Sequence, residues 1–98
     1  MSVAVDREGV EIRAIRDLVD FDGMRVLEVG CGSGRLTWRY AQDTSSVVAL
    51  DVNEEAIREA IDTTPADLRS KVTFIAADIA AFDVPESKFD VAVLSYSL

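Results

Sequence analysis

The chain has 98 residues, 49% of them hydrophobic and 29% charged, and a net charge of −8, which fits one globular domain with a single core. It has no histidine and a single cysteine, Cys31; this excludes Ser-His-Asp and Cys-His arrangements, histidine-based metal sites and a thiolate zinc cluster. Lysine and arginine are nowhere concentrated, so the chain is a poor candidate for gripping nucleic acid.

No apolar run reaches about eighteen residues, so no membrane span is expected. The opening "MSVAVDREGVEI" meets acidic residues at once and lacks the basic start and apolar core of a secretory signal. With one unpaired cysteine, this points to the reducing cytoplasm.

Along the chain, Val10, Ile12, Ile15, Leu18 and Val19 recur at helical spacing and predict a helix over Arg7–Val19. "DFDG" then marks a turn. "RVLEV" (Arg25–Val29) is a first apolar strand, followed by three glycines within five positions, Gly30, Gly32 and Gly34. Arg35–Gln42 reads as a helix, and "VVALDV" (Val47–Val52) as a second strand. Asn53 is a good N-cap for the next helix, with Glu54 and Glu55 in its first turn. Ala56, Ile57, Ala60 and Ile61 form its apolar stripe, and Pro65 marks the break after it. "VTFIAAD" (Val72–Asp78) is a third strand. After a loop through Pro85, "FDVAVLSYSL" is a fourth.

Nearly continuous apolar strands alternating with helices predict a parallel sheet covered on both faces. The expected fold class is α/β, a Rossmann-like half-sheet. In such sheets ligands bind at the carboxyl ends of the strands. Read in that order, the ends carry Glu28 and the glycines, then Asp51, then Asp78, then Ser95 and Tyr96. Like charges gathered at one rim favour a ligand rich in donors or positive charge.

Two ligand classes compete for such a rim. A dinucleotide turn reads G-x-G-x-x-G, with its pyrophosphate at a helix N-terminus. Here the third glycine comes one residue sooner, and Glu28 sits two residues before the first. A carboxylate there is an awkward neighbour for a pyrophosphate and a good one for an ammonium or sulfonium. Asp51 follows Gly30 by 21 residues, where an acid takes ribose hydroxyls in either class.

These residues carry a resemblance. "VLEVGCGSGRLT" resembles the E/D-x-G-x-G-x-G signature of class I S-adenosylmethionine-dependent methyltransferases, and "VVALDVNEEAI", "VTFIAADIAAF" and "FDVAVLSYSL" resemble the segments that follow it in that family. The resemblance covers roughly Arg25 to Leu98 and implies a strand order of 3-2-1-4. It implies that Gly30, Gly32 and Gly34 let the backbone pass close to the methionine and ribose, and that Glu28 holds the methionine ammonium, directly or through water. It further implies that Asp51 takes both ribose hydroxyls, with Val52 against the adenine. Asp78 would accept from the adenine amino group, Ile79 would pack on the ring, and Ser95 would lie near the departing methyl. Methyl transfer needs mainly proximity and orientation, sometimes with a general base; no catalytic residue is identified.

Ordinary roles stand beside these. Cys31 reads as a small loop residue, because no base partner is visible. Trp38 and Tyr40 read as packing residues, and Arg35 as a solvated helix residue. Asp51, followed by Asn53, would also serve simply to begin the next helix, and Asp78 as an ordinary solvated loop start.

Complete members of the family have about seven strands, ordered 3-2-1-4-5-7-6, and this chain holds four. The fourth strand is therefore expected to have an open edge. Two outcomes follow from that: a larger methyltransferase truncated to its cofactor-binding half, or a homodimer pairing that edge with its copy. The function classes are a methyltransferase with an unidentified acceptor, a non-catalytic nucleoside-binding or assembly module, and a nicotinamide-dependent oxidoreductase fragment. Glycine spacing and Glu28 speak against the last.

Overall fold

Short apolar segments separated by helical crossovers can satisfy their backbone groups only by lying side by side in parallel, and the chain does so. The computed structural model describes residues 2–6, 21–82 and 88–95. Its strands are β1 (Ser2–Asp6), β2 (Arg25–Val29), β3 (Ser46–Asp51), β4 (Val72–Ala76) and β5 (Val91–Ser95). They form one sheet ordered β1-β5-β2-β3-β4, with every pairing parallel. The four strands anticipated from the sequence thus lie in the expected 3-2-1-4 order. The expected helix over Arg7–Val19, the loop through Pro85, and Tyr96 lie outside the described residues.

The fifth strand was not anticipated. β1 runs parallel to β5, with Ser2 opposite Val91 and Asp6 opposite Ser95. The edge expected to be open is therefore paired, which removes the premise for a homodimer formed through it. β1 takes the place that the resemblance gives to a strand from further along the chain. "SVAVD" carries two β-branched residues, which is too short a signal to stand out beside the helical periodicity that follows it.

Between β2 and β3 the helix is shorter than expected. Helix α1 covers only Thr37–Tyr40 and tightens into a 3₁₀ turn at Ala41–Asp43. Helix α2 (Glu54–Asp62) starts as predicted: Asn53 accepts the Ala56 N–H at 3.1 Å, with Glu54 and Glu55 in the first turn. Ile57 and Ala60 of its stripe are buried, whereas Ile61 is 53% exposed. A 3₁₀ turn at Ala66–Leu68 follows Pro65.

The pleat sorts the core into two layers. On one face Val26, Val47, Ala49, Val72, Val91 and Val93 pack with Tyr40 and Ala41 beside α1 and Ile57 of α2. The other face packs Leu27 and Leu50 with Phe89, flanked by Val29, Val48, Ile75 and Phe82. Helices were expected on both faces; the described ones share one, because both crossovers step the same way along the sheet with the same hand. No helix among the described residues is long and apolar enough to cross a membrane.

Beneath the sheet's amino end, Arg25 and Asp90 lock β2 to β5. The Arg25 backbone N–H and Nε donate to Asp90 Oδ2 at 2.8 and 3.1 Å, and a guanidinium nitrogen donates to Oδ1 at 3.0 Å. This hydrogen bonding holds the Asp90 carboxyl down at about 2.

Candidate cofactor cleft

Where β2 and β3 end, the chain must reverse without blocking the sheet edge, and glycine makes this possible. Gly30, Gly32 and Gly34 have φ of 82°, 57° and 92°, a region that costs other L-residues about 1–2 kcal/mol each. The resulting turn is anchored to the end of β3. Gly30 and Cys31 donate to the Leu50 carbonyl at 2.8 and 3.1 Å, and Gly32 donates to Asp51 Oδ2 at 2.8 Å.

Beside this turn lies a cleft of about 550 Å³, lined by Val29, Gly30, Gly32, Leu50, Asp51, Val52, Asn53, Ala56, Ala77, Asp78 and Ile79. This is the size of a small-molecule site. It brings together six of the anticipated residues: Gly30, Gly32, Asp51, Val52, Asp78 and Ile79. Among the described residues its lining holds two carboxylates and no lysine or arginine, which suits hydroxyl and amino donors and opposes a diphosphate.

Asp51 is the hinge of the cleft. Its Oδ1 accepts the Asn53 N–H at 2.8 Å while Oδ2 holds Gly32, and the Ala77 N–H closes on the Asp51 carbonyl at 3.0 Å. A carboxylate offers about four acceptor sites, so each oxygen keeps capacity for a further donor. Asp78 caps the 3₁₀ turn Ile79–Ala81, with Oδ1 accepting from Ala80 at 2.9 Å. Its Oδ2 takes no hydrogen bond among the described residues. Val52 and Ile79, 69% and 38% exposed, are two of the three large hydrophobics that the described residues leave in solvent, and both line the cleft. Burial against a flat apolar ligand would offset that exposure.

Two anticipated residues lie elsewhere. Glu28 is fully buried. Alternation along the strand puts Glu28 on the same helix-covered face as Val26, level with Ala49 and Val93 of the flanking strands. There Thr37 Oγ1 and Tyr40 Oη both donate to its Oε1, at 2.8 and 2.5 Å. It is not among the described residues that line the cleft. Gly34 also faces away: a Cβ on it would lie 2.8 Å from the Trp38 ring, so its bareness makes room for Trp38. Ser95 ends β5 in register with Asp6.

The ordinary readings of the aromatic residues hold. Tyr40 stacks on Phe21 at 4.6 Å and Trp38 meets Phe74 edge-on at 5.3 Å. Burial, then the Glu28 charge, pushes the Tyr40 phenol well above its usual range. Burial, followed by Glu28 and Asp51, pushes the Cys31 thiol far up as well, which removes it as a nucleophile. Among the described residues no cluster fit for a metal ion occurs. Asn53 and Ala56 line the cleft without having been singled out for it. The helix cap explained Asn53 so completely that no further signal remained in the sequence.

Residues 26–98 match the methyltransferase domain family. The magnesium-protoporphyrin O-methyltransferase of Rhodobacter capsulatus is 39% identical over 79 residues, covering 81% of this chain and 34% of that protein. An S-adenosylmethionine-dependent methyltransferase structure from Mesorhizobium loti aligns at 28% identity with a TM-score of 0.75, over 92% of this chain and 41% of that one. Magnesium protoporphyrin IX methyltransferase from Synechocystis PCC 6803, solved with bound S-adenosylhomocysteine, aligns at 26% identity with a TM-score of 0.66, over 85% and 37%. The chain spans about a third of the length of the first of these relatives. With the family's strand order and glycine turn in place and most of its length matching the family, the chain belongs to the class I S-adenosylmethionine-dependent methyltransferases.

Proposed function

We propose that this chain binds S-adenosylmethionine in the cleft beside Asp51 and serves as the cofactor-holding portion of a methyltransferase whose acceptor is not specified by these residues. The observation that carries this reading is the composition of one cleft among the described residues: two carboxylates, two exposed aliphatic side chains, a glycine turn and no cation.

The residues fit the cofactor. The spare acceptor capacity of Asp51 suits a vicinal diol, and Asp78 Oδ2 suits an exocyclic amine. Val52 and Ile79 offer apolar surface for a purine. Gly30 and Gly32 leave the backbone open where a side chain would intrude. Bound there, S-adenosylmethionine supplies an electrophilic methyl group on a sulfonium sulfur. The chain's own contribution is then to fix the nucleoside, so that proximity and orientation carry the rate. A buried lone thiol is consistent with the reducing cytoplasm, where we place the protein.

Titration calorimetry of the 98-residue chain with S-adenosylmethionine, S-adenosylhomocysteine and NAD tests the reading. Binding of the first two and not the third is expected. Tight NAD binding with no response to the sulfonium cofactor or its product would overturn it.

A further inference from the structure

Glu28 is an acid in the middle of an apolar sheet face, between Ala49 and Val93, and the proposed binding site leaves it without a role. Taking a carboxyl out of water is costly unless its partners are well placed. Here Thr37 and Tyr40 both donate to the same oxygen, Oε1. The positions of these three residues in the chain are the informative point. Glu28 lies immediately before the glycine turn, and Thr37 and Tyr40 lie immediately after it. The two hydrogen bonds therefore close the chain across residues 29–36 from beneath. Asp51 holds the same turn from the other side, through the Gly32 N–H. Backbone bonds run through the turn from one anchor to the other: Gly34 N–H to the Cys31 carbonyl and Trp38 N–H to the Gly34 carbonyl, both at 3.1 Å.

We propose that Glu28 is a positioning residue: through Thr37 and Tyr40 it sets the glycine turn in the register that Asp51 latches, and it does not itself hold the cofactor's ammonium group. This rests on the reading of the cleft as an S-adenosylmethionine site. Loosening the clamp lets Gly32 drift from Asp51 Oδ2, which disturbs the carboxylate facing the ribose. The effect then falls on the nucleoside half of the ligand as well as on its amino-acid half.

Two probes separate the roles. S-adenosylhomocysteine has both halves; 5′-methylthioadenosine lacks the ammonium and carboxylate. Tyr40→Phe removes one donor while keeping the ring that stacks on Phe21. Thr37→Val removes the other, and Thr37→Ser restores it. Affinities are measured by calorimetry well below the melting midpoint of each variant, so that lowered stability alone does not change them. The expected result is a loss of about tenfold for both probes in Tyr40→Phe and Thr37→Val, with near-normal affinity in Thr37→Ser; one charge-assisted hydrogen bond is worth about that factor. Unchanged affinity for both probes in folded Tyr40→Phe and Thr37→Val would overturn the proposal. So would a Glu28→Gln loss confined to S-adenosylhomocysteine, since that is the signature of a direct ammonium contact. Failure of the unsubstituted chain to bind either probe would overturn the cofactor reading itself, and the proposal with it.

Discussion

The carboxylate of Asp51 accepts the backbone N–H of Gly32 at 2.8 Å, across a gap of 19 residues. One side chain at the end of β3 thus decides where the glycine turn after β2 lies. Its other oxygen holds the N–H of Asn53, at the start of α2. The residue that would meet the ribose also fixes two walls of the cleft.

Substitution of Asp51 should therefore act twice. Asp51→Ala loses two charge-assisted hydrogen bonds within the protein and two to the ligand, each worth about 1.5–3 kcal/mol. Affinity for S-adenosylhomocysteine should fall by at least about a hundredfold in calorimetry, and the thermal midpoint of the free chain should fall too. Unchanged affinity would show that the ribose lies elsewhere.

Val52 and Ile79 should behave differently, because their side chains are already in solvent. Trimming either to alanine removes little that stabilises the free protein, within about 0.5 kcal/mol. It does remove apolar area that a purine would cover, at about 0.8 kcal/mol per buried methylene. Ile79→Ala and Val52→Ala should each weaken S-adenosylhomocysteine by about three- to thirtyfold while urea denaturation stays put. A large stability loss with normal affinity would mean that these side chains belong to the core instead.

The sequence made the residues of the cleft legible from β3 onward, and it did not foresee where Glu28 and Gly34 lie, for a physical reason. Asp51, Val52, Asp78 and Ile79 follow strand ends, so their chain position alone puts them at the rim. Glu28 lies inside its strand, where side-chain alternation, not nearness to the strand end, decides the face, and it shares that face with Val26. Gly34 carries the same signal as Gly30 and Gly32, and only the packed position of Trp38 shows that its missing Cβ serves another purpose. The strand order could be anticipated because right-handed crossovers between apolar strands leave few alternatives. β1 could not, since what pairs it with β5 is a neighbour distant in sequence.

Gly34 and Gly23 permit a comparison of strain with crowding. Both have positive φ, 92° and 69°, but a Cβ at Gly23 meets nothing within 4 Å. Gly23→Ala should cost only the backbone penalty, about 1–2 kcal/mol. Gly34→Ala adds overlap with the Trp38 ring and should cost a further 1–3 kcal/mol or so. Urea denaturation of the two variants measures the difference. Combining Gly34→Ala with Trp38→Leu should recover part of the crowding term and none of the backbone term. Equal costs for the two alanine variants would mean that Trp38 yields freely.

Asp90 should carry a distinct acid dependence. In the fold, its hydrogen bonds to Arg25 bring its pKa from 3.8 to about 2. A carboxyl held down in this way stabilises the native state fully above the unfolded value and stops doing so as the pH falls through the folded one. The stability difference between the unsubstituted chain and Asp90→Asn should then be level from about pH 5 to 7. It should shrink below pH 4 and vanish near pH 2. Both groups are more than a third exposed, so salt should reduce the difference throughout. Urea unfolding across this range, with carboxyl NMR titration of Asp90, reads both quantities. A difference that persists unchanged at pH 2 would show that the link between β2 and β5 depends on the shape of the side chain and not on its charge.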